Sequence, residues 1–280
     1  MTKVTPRVLK GFKDYLPDTM LSKQRMLDDI ARVFESFGFG PLVTPAIEYA
    51  DILMGKYGDE GDKLLYRFRD NGDRDVALRY DLTVPLSRVV AMNNQLLKPF
   101  KRYQIAPVWR AEKPGRGRFR EFMQCDIDIV GASEMMADAE CLLVGVRALQ
   151  AIGVNDFIIR INNRKLLTAL LSKFEISEGE PALSVLRTLD KLPKIGEDKT
   201  RSLLSSENQL DAAAIDGIFN FLKLSPSELS SFFENDPMGQ LGAQEIETVL
   251  SLAQDMGIGN LVEVDLSIAR GLDYYTGTIY

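Results

Sequence analysis

The chain has 280 residues and not one histidine. That absence removes Ser-His-Asp and Cys-His nucleophilic catalysis, and any histidine-ligated zinc site. Catalysis here has to come from carboxylates, Arg, Lys, Tyr, backbone dipoles or a bound metal ion. Cysteine is scarce too, with only Cys125 and Cys141. They form neither a metal-ligand spacing nor a disulfide framework, so a reducing, cytoplasmic setting is expected. No apolar run approaches the ~20 residues of a membrane helix. The opening MTKVTPRVLKGFKDYLP lacks the apolar core of a secretory signal. Neither GxGxxG nor GxxxxGK[ST] occurs, so a nucleotide would find no Rossmann or P-loop cradle. Positive charge is not in excess either. The net charge of −6 lacks the basic footprint that nucleic-acid binding usually leaves.

What remains is ordinary for a soluble globular protein, with 45% hydrophobic and 26% charged residues. The length suits one large domain or a domain with an insertion. Residues 22–37 read as an amphipathic helix, since Met26, Ile30, Val33, Phe34 and Phe37 recur at helical spacing. Ser22 is the expected N-cap and Gly38 the expected stop. A short strand is expected between Pro41 and Pro45. YRFRDNGDRDVALRYD reads as a hairpin, with Tyr66 to Arg69 and Asp75 to Tyr80 as strands around an NGD turn. A helix follows from Thr83, expected as its own N-cap, with Pro85 in the first turn.

Strands are then expected at roughly 100–110 and 119–130, a helix at about 133–152, a strand from Phe157 and a helix from Arg164 to Phe174. Residues 175–258 change character. They are rich in Ser, Asp, Glu and Leu and carry several short helical patterns but no convincing strand. Strand character returns after Gly259. This order predicts an α+β fold, an antiparallel sheet flanked by helices. The expected organisation is a core over 1–174, a helical insertion over 175–258, and a return to the core over 259–280.

The chemistry concentrates in VWRAEKPGRGRFREFMQCDIDIVG, residues 108–131. Alternation along a strand puts Gln124, Asp126 and Asp128 on one face and Cys125, Ile127 and Ile129 on the other. Taken alone, the strand also fits an antiparallel sheet with an apolar core face and a solvated outer face. The preceding loop alters the balance. Arg110, Lys113, Arg116 and Arg118 surround one turn, with Arg120 close by. Such a cluster suits a polyphosphate, because guanidinium groups make bidentate, permanently charged contacts.

Arg110-Ala111-Glu112, a loop, then Arg118 to Phe122 resembles motif 2 of class II aminoacyl-tRNA synthetases. The likeness implies that Arg110 meets the α-phosphate of ATP and Glu112 the adenine amino group. Arg118 would lie near the γ-phosphate, and Phe122 would stack on adenine. Further segments resemble the histidyl-tRNA synthetases. LRYDLTVPLSR, residues 78–88, is similar to the loop that holds the substrate amino group, at Asp81, Leu82 and Thr83. RGLDYYTG, residues 270–277, resembles a motif peculiar to that family. Its Arg270 is implied to stabilise charge on the reacting carboxylate and phosphate, and Tyr274 and Tyr275 to line the histidine pocket. Gln124 and Asp128 match residues that contact the amino acid, alongside Arg110 and Arg270. KGFKDYLP resembles the family's opening, and Pro45 matches the motif 1 proline at a dimer interface. The similarity follows the family's order over essentially the whole chain.

The resemblance implies a histidine–tRNA ligase. It would activate L-histidine with ATP, Mg²⁺ accompanying the ATP, and pass the histidyl group to tRNA(His), as a cytoplasmic homodimer. Arg110 and Arg270 are the implied catalytic residues, and no protein metal ligands are expected. The family's catalytic domain extends beyond the position of Tyr280, so the expectation is the N-terminal portion of such a domain, with part of the adenine site to follow. A rival from another class is a non-catalytic synthetase-like regulatory subunit of ATP phosphoribosyltransferase. Retention of Arg110, Glu112, Arg118, Phe122 and Arg270 speaks against that rival.

Overall fold

The computed structural model describes residues 4–55, 64–269 and 275–280. The chain divides into two units. One comprises Met1–Ser133 with Arg147–Asn155, the other Glu134–Val146 with Asp156–Tyr280.

The first unit begins with helix α1, Pro17–Ser36. It starts earlier than the expected Ser22 because Pro17 occupies the first helical turn, where a missing N–H is harmless and φ is already helical. Asp18 adds a favourable negative charge at that end. Ser22 lies inside the helix, its hydroxyl donating to the Asp18 carbonyl. Gly38, at φ +79°, ends the helix as expected.

Strand β1, Gly40–Pro41, follows and pairs in parallel with β5, Phe100–Trp109. Pro41 therefore sits in a strand rather than bounding one. It can do so because β1 is an edge strand, where a proline need not donate to a neighbour. The expected strand between the two prolines is absent; the next, β2, is Ile47–Tyr49. A short helix α2, Ala50–Leu53, continues from it. The hairpin forms as read, with β3 at Arg67–Arg69 and β4 at Asp75–Leu78, and β2 lies on the other side of β4. The Asp70 carboxylate accepts the amides of Gly72 and Arg74 and so closes the turn.

Helix α3 is Thr83–Met92. Thr83 is its first residue and not its cap. The capping oxygen belongs to Asp81, whose Oδ1 accepts the amides of Thr83 at 3.2 Å and Val84 at 3.1 Å.

Strand β5 then runs against β6, Glu121–Val130, in a ladder from Phe100 opposite Val130 to Trp109 opposite Glu121. Arg102, Gln104, Ala106 and Val108 form the buried side of β5, and their partners across the ladder are Asp128, Asp126, Gln124 and Phe122. Taken alone, β6 also fits a solvated outer face; Gln124, Asp126 and Asp128 on that face are half-buried. The reason is local: Leu82 packs on it with Ala106, Val108 and Phe122. On the opposite side the end of α1 is fastened to β5, where Tyr103 donates to Glu35 and Lys101 to the carbonyl of Phe37. Cys125, Ile127 and Ile129 are only half-buried there.

In the second unit, β7, Ile159–Asn163, pairs in parallel with β8, Val262–Val264, and antiparallel with β9, Thr278–Ile279. Helix α4, Met135–Ala151, contributes its first part to this unit, and α5, Arg164–Lys173, follows β7. Between residues 175 and 258 the described elements are all helical, as read. They run from α6, Glu180–Leu189, through α7, Leu192–Ile195, α8, Glu197–Ser206, α9, Ala212–Phe221, and α10, Leu229–Phe232, to α11, Pro237–Asp255. Leu166, Leu170, Leu189, Phe221, Phe233 and Ile246 belong to one continuous core in this unit. Gly242 permits the close approach of α11 to α5, since a Cβ there would lie 3.0 Å from the backbone nitrogen of Leu166.

The fold is α+β with mostly antiparallel pairing. Among the described residues, two parallel pairings, β1 with β5 and β7 with β8, are additions to the sequence reading.

Candidate active site

The β5–β6 ladder builds the site. A strand's alternation places Phe122, Gln124, Asp126 and Asp128 in a row on one face of β6. Buried polar groups have to be paired, so their partners are informative. Gln124 donates from Nε2 to both carboxylate oxygens of Asp126, at 3.0 and 2.9 Å. Gln104, beside it on β5, donates to Thr44 Oγ1 at 3.1 Å. Arg102 is 0% exposed and brings Nη2 to 2.5 Å from Asp128 Oδ2 and 3.2 Å from the Leu82 carbonyl. The contact with Asp128 is an ion pair. Arg102 Nε and Nη1, Gln124 Oε1 and Asp128 Oδ2 are buried without a hydrogen-bond partner. A half-buried sheet face with both spare donors and spare acceptors suits a polar ligand.

Burial governs the charges on this row. It pushes the Asp126 carboxyl above the usual carboxylate range, against the pull of the Gln124 amide and of Arg102. Burial raises Asp128 further, to about 7. Arg102 opposes that rise, whereas Asp126 and Asp81 reinforce it. Asp128 therefore changes charge near neutrality.

Arg110 stands just beyond the β5 end of the ladder. Its Nε donates to the Tyr80 carbonyl at 3.2 Å. Its guanidinium lies 4.4 Å from the centre of the Tyr80 ring and 5.1 Å from that of Phe122. Burial raises the Tyr80 hydroxyl pKa, and the Arg110 charge works against that. The basic loop is a tight turn in which Gly115 and Arg118 exchange backbone hydrogen bonds and Gly117 takes φ +73°. Arg118 is exposed, with Nε 3.2 Å from Glu112 Oε2. Arg120 differs from its neighbours. It donates to the carbonyls of Glu112 and Lys10, so it fastens the loop to the N-terminal segment.

The structure thus brings Arg110 to Phe122, Glu112 to Arg118, and Gln124 and Asp128 to one face, with Asp81 acting electrostatically on Asp128. Leu82 is wholly buried and can offer a ligand only its backbone. Thr83 is half-buried at the start of α3. Tyr275 belongs to the second unit and packs against that unit's core. Arg270 and Tyr274 lie outside the described residues.

Sequence reasoning passed over Arg102, Gln104 and Tyr80. The signal for Arg102 was available, because counting back along two antiparallel strands from the loop sets it opposite Asp128.

A sequence profile described as histidyl-tRNA synthetase matches residues 11–280. A histidine–tRNA ligase of Helicobacter pylori (strain P12) is 43% identical over 289 residues, covering 99% of this chain and 64% of the relative. One of Rhodopirellula baltica is 44% identical over 285 residues, with the same coverage of 99% and 64%. The solved histidyl-tRNA synthetase of Nostoc sp. PCC 7120 superposes with a TM-score of 0.84 at 35% identity, over 99% of this chain and 64% of that one. The chain spans about two-thirds of the length of these relatives, 64% in each case.

Proposed function

The chain belongs to the histidyl-tRNA synthetase family, and on that premise we propose that it carries the ATP- and histidine-binding part of a histidine–tRNA ligase. The observation that carries the proposal is the polar face of β5 and β6, where atoms of Arg102, Gln124 and Asp128 are buried without a hydrogen-bond partner on the side of the ladder that runs toward Arg110. A substrate imidazole has a polar atom on each side of its ring, and a carboxylate beside an amide selects it over apolar side chains.

In the proposed reaction the carboxylate of histidine attacks the α-phosphate of ATP and pyrophosphate leaves. The histidyl group then passes to the 3′-terminal adenosine of tRNA(His). Arg110 and Arg270 stabilise the charge that builds on the α-phosphate. Arg110 is already oriented for this by the Tyr80 carbonyl and two aromatic rings. Glu112 accepts the adenine amino group, Phe122 stacks on the base, and the exposed Arg118 swings from Glu112 toward the γ-phosphate. Asp81 and Thr83 hold the substrate ammonium, with Leu82 contributing backbone only. Gln124 and Asp128 hold the amino acid further along the face, and the family resemblance assigns Tyr274 and Tyr275 to the same substrate. Among the described residues no group of three or more Cys, Asp or Glu side chains is placed to hold a metal ion. Mg²⁺ in this proposal arrives with ATP, bound by phosphate oxygens.

Two further assignments belong to the proposal. Residues 175–258 act as an insertion directed at tRNA. The protein works as a homodimer in the cytoplasm, with the segment around Pro45 at the interface. Val43, Ile47 and Tyr49 are exposed apolar side chains on either side of that proline, which supports the dimer. No described helix is long and apolar enough to cross a membrane.

The test is histidine-dependent exchange of pyrophosphate into ATP, measured on the protein from the complete gene. Exchange driven by L-histidine and not by L-leucine or L-arginine is expected. Absence of exchange, or equal exchange with all three, overturns the reading.

A further inference from the structure

Arg102 is the one cation among the described residues that is both fully buried and short of partners. Its side chain is 0% exposed, yet Nε and Nη1 donate to nothing. Burying a guanidinium is expensive unless its charge is answered. The answering charge is Asp128, its register partner on the adjacent strand, 2.5 Å away. The opposite arrangement, a leucine at 102, would be cheaper for folding alone. The pair is therefore explained by what it does to Asp128.

We propose that Arg102 is a positioning residue for this site: from its place beside Asp128 on the β5–β6 face it fixes the Asp128 carboxyl group and favours its ionised form, the acceptor for a ring N–H of the substrate. The inference rests on the histidine-binding reading and deepens it. Two features of the geometry support it. Arg102 is itself anchored, since Nη2 also donates to the Leu82 carbonyl at the start of α3. Asp128 is otherwise surrounded by groups that oppose its ionisation, namely burial, Asp126 on its own strand and Asp81 before α3. Arg102 is the named cation that acts on Asp128 in the other direction, while Arg110 acts on Asp126. Without Arg102, Asp128 would be protonated at neutral pH and would present a donor where the ring N–H needs an acceptor.

Two readouts test this on the whole chain, with L-histidine as the probe. The first needs no ligand. Carbon-13 NMR of labelled aspartate carboxyls follows Asp128, assigned with Asp128→Asn, in wild type, Arg102→Met, Arg102→Gln and Arg102→Lys. The wild-type midpoint is expected near 7, as burial and Arg102 together set it. The neutral variants should titrate at least one pH unit higher, and Lys should return the midpoint toward wild type. Either neutral variant suffices if the other does not fold. The second readout is calorimetry of L-histidine binding from about pH 6 to about pH 9, a range that brackets the ordinary pKa of imidazole. Affinity in the neutral variants should fall at least tenfold near pH 7 and recover at higher pH, in step with the shifted midpoint. A neutral variant with an unmoved Asp128 midpoint overturns the role of Arg102, whether or not histidine binds. A shifted midpoint with no histidine binding by wild type overturns the histidine-site reading instead.

Discussion

Arg110 is held by Tyr80 in two ways at once: Nε donates to the Tyr80 carbonyl at 3.2 Å, and the guanidinium carbon lies 4.4 Å from the centre of its ring. A guanidinium so fixed is preorganised, and preorganised charge is what a developing phosphoryl charge requires. Arg110→Lys keeps the charge and loses the planar fork. It is expected to lower histidine-dependent pyrophosphate exchange by about 10²–10³-fold, the usual penalty for removing a preorganised stabilising group. Tyr80→Phe keeps the ring and should stay within about threefold of wild type. Tyr80→Ala should lose about tenfold, in line with ~1 kcal/mol for a partly desolvated cation–π contact. Equal rates for the Phe and Ala variants would show that the ring does not orient Arg110.

A second pair concerns stability. Arg88 of α3 reaches Glu48 of β2 with Nη2 at 2.6 Å and Nε at 3.0 and 3.1 Å, and Glu48 is nearly inaccessible. Removing one partner strands a buried charge, which typically costs about 3–5 kcal/mol. Arg88→Met should therefore unfold the first unit at clearly lower urea. The sequence has a single tryptophan, and Trp109 lies in that unit, so its fluorescence reports the transition directly. Arg88→Met with Glu48→Leu should regain most of the loss, because an apolar pair leaves no charge behind. A double variant no better than the single one would sink the argument.

Cys125 offers a pH test. Burial raises its thiol to about 11, with Asp126 adding to the rise and Lys23 opposing it. The thiolate is the reactive species, so alkylation by iodoacetamide should be slow at neutral pH and should accelerate as pH approaches that value. The linkage has the same sign. A group raised on folding favours the folded state below its unfolded pKa, and that contribution is lost as pH rises through the folded one. Peptide mass mapping after timed alkylation separates Cys125 from Cys141. Labelling of Cys125 at the rate of a free thiol at pH 8 would contradict its burial.

The secondary structure was largely readable because apolar periodicity and turn chemistry are local. Asp70 and Gly72 announce the hairpin turn, and the spacing around Leu166 and Leu170 announces α5. What escaped was decided across distance. Nothing within residues 119–130 says that the carboxylate face would border a buried row, because Leu82 and the β5 residues beside it lie in other segments. Pro41 reads as a strand breaker until its place at a sheet edge is known. The motif residues were legible by resemblance, whereas Arg102 was not, since its meaning comes from the strand register that sets it against Asp128.

Asp81 combines a structural and a proposed functional role, and the two are separable. Its Oδ1 caps α3 through the amides of Thr83 and Val84. Asn caps as well as Asp, whereas Ala at such a position costs about 1 kcal/mol. Asp81→Asn should therefore melt close to wild type and Asp81→Ala measurably lower. A charge is needed to hold a substrate ammonium, and Asn does not supply one. Both variants should consequently lose L-histidine affinity by at least tenfold in calorimetry, although only one loses stability. If Asp81→Asn binds histidine as wild type does, Asp81 is a helix cap and nothing more, and the ammonium must be held elsewhere on the face.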